Sequence, residues 1–356
     1  MPASQYSSSF GRLQALSVNF LSSNFMRDLL KAKDTSEMVK MLEGTWYDEE
    51  IERAASLYHP PELLEVALNR HLVNINKIAL EASPFNGRNA VRAYLSKWDI
   101  YNIELILSSK NVGRPITDTE PFLVSSRNFP AGVMAGVIPY DEMKILLSQS
   151  GVEAVVNNLL KYGYGTILLQ HLDAYQKTTD LGPMMVALQG YYYQNLLNSL
   201  RFFQGDEGIL REMFRTEIDK KNILSLLKAK ETNVDKSMAS KHIIDGGKIP
   251  IGELSDIYGV NNVPEFVNRV EIYFPLGQAM NHYRESGSLV DFEVTFDKFI
   301  SNSYVKKLKN IALSVGSIFH FMITAEHERE NIRRIAYGKR YNISSSRIAS
   351  MVIIDE

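Results

Sequence analysis

The spacing of apolar residues is that of α-helices over most of the chain. Residues 24–33, 36–47, 61–80 and 303–319 all place apolar side chains at i, i+3 or i+4, which puts them on one helix face. Runs that alternate apolar and polar residues, as a half-buried strand would, are scarce. The pattern therefore predicts an all-α fold.

One short pattern occurs three times: DIYNIELILSSK at 99–110, DKKNILSLLKAK at 219–230 and ERENIRRIAYGK at 328–339. Each copy has an acidic residue, Asn-Ile three residues later, and a Lys eight residues after the Asn. Apolar residues recur at matching positions: Ile103, Ile106 and Leu107; Ile223, Leu226 and Leu227; Ile332, Ile335 and Ala336. This i, i+3, i+4 spacing predicts one shared buried face in three helices, which we call the Asn-Ile helices.

Each copy has the start and stop signals of one complete helix. In two copies the first residue, Asp99 or Asp219, is suited to an N-cap, where a carboxylate accepts bonds from free N–H groups. Glu328 is a poorer cap than Asp, so the third helix is expected to begin differently. A lysine lies about three turns later, where a cation suits the helix C-terminus: Lys110, Lys230 and Lys339. Residues that end helices follow at 111–115, 231–233 and 341–342. Taken singly, each copy is also typical of an ordinary amphipathic helix.

Other landmarks recur in the same order around these helices. Gly-x-Ile-Pro occurs at 136–139 and 247–250, with the proline suited to the first turn of a helix. Aromatic residues then close a helix in each copy: Trp46 and Tyr47, Tyr162 and Tyr164, Tyr273 and Phe274. The Asn anchors are 120 and 109 residues apart, far longer than a solenoid repeat. Internal triplication explains this order, with three similar helical domains at 1–120, 121–240 and 241–356.

Composition and charge narrow the class of protein. Lys plus Arg total 39 and Asp plus Glu 41, so a net charge of −2 gives no reason to expect nucleic acid as a partner. The chain has no cysteine, which excludes disulfides and thiolate metal sites. The N-terminus lacks the basic and apolar regions of a signal peptide. The apolar run at 311–325 is short for a membrane span and suits a buried helix. We expect a soluble protein.

Motifs that carry chemistry are missing or incomplete. A phosphate-binding loop needs Lys followed by Ser or Thr, but the Gly-Lys pairs at 247–248 and 338–339 are followed by Ile249 and Arg340. HEREN at 327–331 has Asn where a zinc-protease helix requires its second His. His320 and His327 could share a helix face, but core or surface histidines are the better interpretation. The sequence predicts no catalytic, cofactor-binding or metal-ligating residue, and no direct nucleotide binding.

Two further segments invite a binding interpretation. The aromatic-rich run at 190–203 is expected to be mainly core, and the mixed charges at 328–334 are typical of a solvated helix face. Paired carboxylates such as Asp48 and Glu52 are likewise expected on solvated helices. Neither segment indicates a catalytic site.

The residues at 10–47 and the three Asn-Ile helices resemble the C subunit of the archaeal and bacterial A/V-type rotary ATPases, the counterpart of the d subunit in vacuolar enzymes. Leu42, Thr45 and Tyr47 match the family's Leu-x-x-Thr-x-Tyr ending, while the residues at 129–139 are less typical of it. The resemblance covers essentially the whole chain.

The resemblance implies three similar helical domains arranged as a funnel about a pseudo-threefold axis. It also implies a peripheral protein on the cytoplasmic face of the membrane that joins the proteolipid ring to the central-stalk subunits. Such a protein transmits torque for coupled ion transport and ATP synthesis or hydrolysis, without a cofactor or catalysis of its own. The alternatives are a helical scaffold unrelated to rotary ATPases and, third, a helical hydrolase.

Overall fold

The computed structural model describes residues 3–115, 120–124, 138–203 and 205–354. These residues form helices and connecting turns without a β-strand, so the predicted all-α fold is confirmed for the described part of the chain. Packing divides the chain into two compact units. The first unit contains residues 1–166 and 311–356, and the second contains residues 167–310. The division into three repeat domains rests on sequence equivalence and stays a prediction.

The first unit is built from helices at both ends of the sequence. They are α1 (Ser7–Leu16), α2 (Ser23–Lys31), α3 (Thr35–Leu42), α4 (Asp48–Ala55), α5 (Glu62–Ala82), α6 (Phe85–Leu95), α7 (Lys97–Asn111), α8 (Tyr140–Ser148), α9 (Val152–Asn158), α20 (Val315–Arg340) and α21 (Ser345–Met351), while α10 (Tyr164–Leu169) contains the boundary with the second unit. Helix α5 packs against α4 and α20. Leu29, Met38 and Ile335 belong to one buried apolar cluster, so α2, α3 and α20 share a core.

The second unit has its own core. Its helices are α11 (Leu172–Thr178), α12 (Gly182–Leu200), α13 (Ile209–Glu231), α14 (Lys236–Ala239), α15 (Ile251–Tyr258), α16 (Val263–Val270), α17 (Gly277–Ser286), α18 (Val290–Ile300) and α19 (Lys306–Leu308). Helix α13 packs against α12, α16 and α18. Ile223, Phe266 and Phe292 are fully buried in the same apolar cluster. These three side chains come from α13, α16 and α18, so their contacts hold the three helices together.

The Asn-Ile helices bury the predicted face. Ile103, Ile223 and Ile332 are all 0% exposed, which confirms the predicted burial at equivalent positions. The residues three and four positions after each Ile are also buried: Ile106 and Leu107, Leu226 and Leu227, Ile335 and Ala336. The shared apolar pattern therefore has a shared packing role.

The predicted N-caps Asp99 and Asp219 are wrong, whereas the third copy begins elsewhere than at Glu328, as predicted. Asp99 lies in the first turn of α7, whose N-cap is Ser96, and Asp219 and Glu328 lie well inside α13 and α20. Helices α13 and α20 extend further toward the N-terminus because the preceding residues also carry a buried apolar face. Phe214 in α13 and Phe319 in α20 are examples, each fully buried.

The three Asn-Ile helices end in the same way. Each has a residue with positive φ directly after its C-cap, two positions past the last helical residue: Gly113 (66°), Asn233 (55°) and Asn342 (56°). The next residue donates its N–H back to a carbonyl of the last turn: Arg114 to Ser109 (2.9 Å), Val234 to Ala229 (2.9 Å) and Ile343 to Gly338 (2.8 Å). These are Schellman caps, in which glycine or asparagine accommodates the left-handed backbone. The predicted stop signals are confirmed.

The helix predicted at 303–319 is interrupted. A π-helical turn at Ser301–Val305 precedes the short helix α19, and Leu313 then has a φ of 52°. Helix α20 starts after Ser314, whose Oγ accepts the N–H of Gly316 at 2.9 Å. The capped start makes this segment two helices, because the backbone leaves the helical region between them.

The apolar run at 311–325 contributes the first turns of α20, and Val315, Ile318 and Phe321 there are buried. No helix in the described part of the chain combines the length and apolar character needed to cross a membrane.

Candidate functional site

The polar residues repeated in the three Asn-Ile helices are buried. The acidic residue and the asparagine of each copy are almost fully enclosed: Asp99 and Asn102, Asp219 and Asn222, Glu328 and Asn331. A buried carboxylate or amide is costly unless its hydrogen bonds are satisfied. The hydrogen-bond partners of these side chains therefore show which parts of the chain each Asn-Ile helix holds in place.

Each asparagine pairs with the backbone of one residue 22 positions later. Its Oδ1 accepts that residue's N–H, and its Nδ2 donates to the same residue's carbonyl oxygen. The two distances are 2.9 and 3.4 Å for Asn102 with Val124, 2.7 and 2.8 Å for Asn222 with Ile244, and 2.8 and 2.6 Å for Asn331 with Ile353. The amide thus pairs with a segment outside the helices as another peptide group would.

Each acidic residue accepts the N–H of the residue just before the N-cap of another helix. The pairs are Asp99 with Ile138 before α8 (3.1 Å), Asp219 with Ile249 before α15 (3.2 Å) and Glu328 with Leu21 before α2 (2.5 Å). Carboxylates are expected to bind N–H groups at the starts of helices, and these three do so. Each of them, however, binds the start of a neighbouring helix and not the start of its own. We call each set of acid, asparagine and two backbone partners a clasp.

Aromatic residues complete two of the clasps. Tyr164 donates its hydroxyl to Asp99 at 2.9 Å. Glu328 accepts the Tyr47 hydroxyl at 2.6 Å and the Trp46 indole N–H at 3.1 Å. These are aromatic landmarks of the sequence. In the second clasp Tyr273 donates to Glu253 instead, and Asp219 accepts the Lys248 N–H at 2.9 Å.

The third clasp differs from the others in what it joins. The first and second hold residues that follow their own helix in the chain: Val124 and Ile138 in the first, Ile244 and Ile249 in the second. The third holds Ile353 and also Leu21, which lies 307 residues from Glu328 in the chain. It therefore joins the two ends of the described chain within the first unit.

Burial changes the protonation of two clasp acids. Desolvation raises the pKa of Glu328 to about 7, although bonds from Tyr47, Leu21 and Trp46 act in the opposite direction. Desolvation raises the pKa of Asp219 to about 6, opposed by the N–H groups of Lys248 and Ile249. Both carboxylates titrate near neutral pH because the bonds replace only part of the water they lose.

Glu328 should make the first unit less stable as the pH rises. Its pKa is about 7 in the folded chain and near the ordinary 4.5 when unfolded, so the folded state binds more protons between these values. The stabilisation is fully present below about pH 4.5 and is lost as the pH rises through 7. Between pH 5 and pH 8 the unmodified chain should lose on the order of 2–3 kcal/mol of unfolding free energy through Glu328, and Glu328→Gln should abolish this loss. Urea unfolding at the two pH values measures the difference.

The control for this experiment is Glu52→Gln, which neutralises an exposed carboxylate on α4. It should leave the difference between the two pH values as in the unmodified chain. An equal difference in Glu328→Gln and the unmodified chain would show that Glu328 is ionised throughout this range.

The mixed charges at 328–334 are not a solvated face, and that interpretation is wrong. Arg329 is buried and donates to Asn69 Oδ1 at 2.6 and 2.8 Å and to Glu65 at 3.3 Å. Arg333 donates its Nε–H to the other oxygen of Glu65 at 2.7 Å. Glu65 and Asn69 lie one turn apart on α5, so α5 and α20 meet through a buried ionic network. Glu65 neutralises Arg329 and Arg333, although the sequence around these two arginines, taken alone, is typical of a helix face exposed to solvent.

The aromatic run at 190–203 is mainly core, as predicted. Tyr192, Tyr193 and Phe203 are buried, whereas Tyr191 and Phe202 are exposed. Asp48 is half-buried and Glu52 is exposed on α4. Within the described residues, no group of three or more His, Asp or Glu side chains is arranged to hold a metal ion. The predicted lack of catalytic, cofactor and metal residues stays a prediction.

Sequence reasoning identified the clasp residues but not their partners. The signal was their recurrence: an acid and an asparagine kept at one spacing in three helices. It missed Glu65 and Asn69, which belong to no repeated pattern. The only local indication of a buried role is that both are polar residues within a long helix, α5, whose other buried residues are mostly apolar.

Comparison with known proteins gives a consistent result. The family model described as ATP synthase (C/AC39) subunit matches residues 10–351. The chain is similar to the C subunit of the A-type ATP synthase of Thermoplasma volcanium, with 36% identity over 98% of each chain. It is 35% identical to the corresponding protein of Thermoplasma acidophilum over 99% of each chain. Identity with the corresponding protein of Methanocaldococcus jannaschii is 26% over 92% of this chain and 81% of that protein.

Proposed function

The chain belongs to the ATP synthase (C/AC39) subunit family, and from this premise we propose that it is a non-catalytic adaptor in the central rotor of an A/V-type ATPase. In this role it joins the membrane proteolipid ring to the central-stalk subunits and transmits torque between them. It works at the cytoplasmic face of the membrane as a peripheral protein. The observation that carries the proposal is similarity to A-type C subunits along essentially the whole chain.

The clasps support a mechanical role. A part that transmits torque must resist deformation, and each clasp fixes one helix start and one non-helical segment through buried or partly buried hydrogen bonds. A buried donor or acceptor that loses its partner costs about 1–3 kcal/mol, so each clasp resists opening. The Glu65–Arg329–Arg333 network adds a second buried connection between α5 and α20.

The clasps also support the proposed triplication. Acid, asparagine and Schellman cap occupy the same relative positions in all three copies. Repeats of common origin would keep these contacts, and three similar domains could then form the funnel about a pseudo-threefold axis that the family resemblance implies. The third clasp would close that arrangement, because it alone joins the last copy to the first.

Co-isolation from native membranes tests the proposed partners. The tagged chain, solubilised in mild detergent, should bring down the proteolipid ring and the central-stalk subunits. A matched preparation of untagged membranes is the control for non-specific capture. Recovery of other helical proteins, with neither ring nor stalk, would favour the scaffold alternative and contradict the proposal.

A further inference from the structure

The helices α1 and α6 carry no acidic side chain. Residues 3–27 and 82–98 contain neither Asp nor Glu, although acidic residues make up 41 of the 356 residues of the chain. On that composition several would be expected here. The two segments meet in the first unit, where Asn86 donates its Nδ2–H to Gln5 Oε1 at 2.9 Å and Gly87 packs against the Tyr6 side chain. They therefore form one surface, and its charge is set by its arginines.

Two arginines on α6 have no acidic partner. Arg88 and Arg92 are one turn apart, and neither forms an ion pair with another of the described residues. Arg88 is half-buried and donates to the carbonyl oxygen of Ser83 at 3.3 Å, whereas Arg92 is exposed. The exposed guanidinium of Arg92 can bind a phosphate group through two parallel N–H donors.

The ion pairs at the edges of this surface do not cancel the charge of the two arginines. Glu81, at the end of α5, lies 3.6 Å from Arg12 and 3.9 Å from Lys77, so two cations share its one negative charge. Lys97, at the start of α7, pairs with Glu326 of α20. Both acids are thus already neutralised, and the excess charge of the surface is positive.

The same surface exposes an aromatic ring. Phe85 is 89% exposed, the largest exposed fraction among the large apolar side chains of the described residues. It lies three residues before Arg88 and seven before Arg92, so the three side chains are on one side of α6. The opposite side of α6 is buried, for example at Val91 and Tyr94. The helix therefore turns two cations and one apolar ring outward together.

We propose that the α1–α6 surface, formed by residues 3–16 and 82–96, binds the headgroups of an anionic phospholipid membrane, with Arg88 and Arg92 near the phosphates and the Phe85 ring between the headgroups. The inference rests on the proposed peripheral role at the membrane and names the face that meets the bilayer. Cations near an anionic membrane surface and apolar side chains inserted into it both strengthen binding. A free phosphate ion would match the arginines but would leave Phe85 in water.

Co-sedimentation of the purified full chain with lipid vesicles tests the surface. The chain should bind vesicles of phosphatidylglycerol and phosphatidylcholine in equal parts, and added salt should weaken this binding because it screens exposed charges. Vesicles of phosphatidylcholine alone should bind far less. Inorganic phosphate at matched ionic strength should not displace the chain from the anionic vesicles, since it offers no apolar contact to Phe85.

Matched substitutions locate the binding on the chain. Arg92→Gln should weaken binding to the anionic vesicles by about fivefold, and Phe85→Ser by about tenfold. Arg269→Gln and Phe202→Ser remove an exposed arginine and a 66% exposed phenylalanine from the second unit, and both should bind as the unmodified chain does. Thermal unfolding of each variant establishes that it is folded.

Fluorescence of Phe85→Trp reports contact with the bilayer itself. Its emission, measured relative to the unmodified chain with Trp46 and Trp98, should move to shorter wavelength on anionic vesicles. Lipids brominated on their acyl chains should quench it. Phe202→Trp is the control and should show neither change.

The vesicles contain no protein, so their result is separate from the co-isolation of ring and stalk. No binding of the unmodified chain to anionic vesicles, equal binding to neutral vesicles, or undiminished binding by both Arg92→Gln and Phe85→Ser would overturn the lipid assignment. If these two variants lost the ring and stalk while the unmodified chain bound no vesicles, the surface would contact an acidic protein instead. That outcome would overturn the lipid assignment and leave the proposed adaptor role standing.

Discussion

Glu65→Gln should destabilise the first unit by about 3–5 kcal/mol, the cost of leaving buried charges without their partner. Glu65 is buried and binds two arginines, Arg329 at 3.3 Å and Arg333 at 2.7 Å. A neutral amide can accept from them but cannot balance their charge. The shift of the urea-unfolding transition measures the loss.

Glu330→Gln is the matched control for this prediction. Glu330 also binds Arg333, at 2.9 Å, but its side chain is 38% exposed. Exposed ion pairs contribute about 0–1 kcal/mol, so this change should have little effect. Equal, small losses for the two variants would mean that water reaches Glu65 and that the network is not a buried one.

Asn222→Leu should destabilise the second unit by about 2–5 kcal/mol. Leucine has nearly the shape of asparagine but leaves the N–H and carbonyl groups of Ile244 without partners, and each orphaned buried group costs about 1–3 kcal/mol. Asn331→Leu should cost less because the groups of Ile353 are only partly buried and water can replace the amide. Urea unfolding of both variants gives the comparison.

The order of these two losses is the critical outcome. An Asn222→Leu variant as stable as the unmodified chain would show that the clasp bonds contribute nothing net. A larger loss for Asn331→Leu than for Asn222→Leu would show that burial of the backbone partner does not set the strength of a clasp.

Local patterns in the sequence determine the parts of the fold that were predicted correctly. The buried positions of Ile103, Ile223 and Ile332 follow from apolar spacing within one helix, and the helix ends follow from residues such as Gly113 and Asn233. Both depend only on neighbours a few residues away. The all-α fold and the three matching faces could therefore be predicted without a structure.

Contacts between distant residues determine the parts that were predicted wrongly. Glu328 resembles a poor N-cap locally, but its partner Leu21 is 307 residues away. Arg329 resembles a solvated residue, but Asn69 and Glu65, 260 and 264 residues away, enclose it. A side chain's polarity indicates that it needs a partner, whereas only the packed helices decide which partner it has.

Coupling in the assembled enzyme tests the proposed role most directly. Membrane vesicles carrying the ATPase complex would be prepared without this chain and with it restored, and ATP hydrolysis and ATP-driven ion transport would be measured on the same vesicles. We expect hydrolysis without transport when the chain is absent, and recovery of transport when it is restored. Tightly coupled transport in vesicles that lack the chain would contradict the torque-transmitting role.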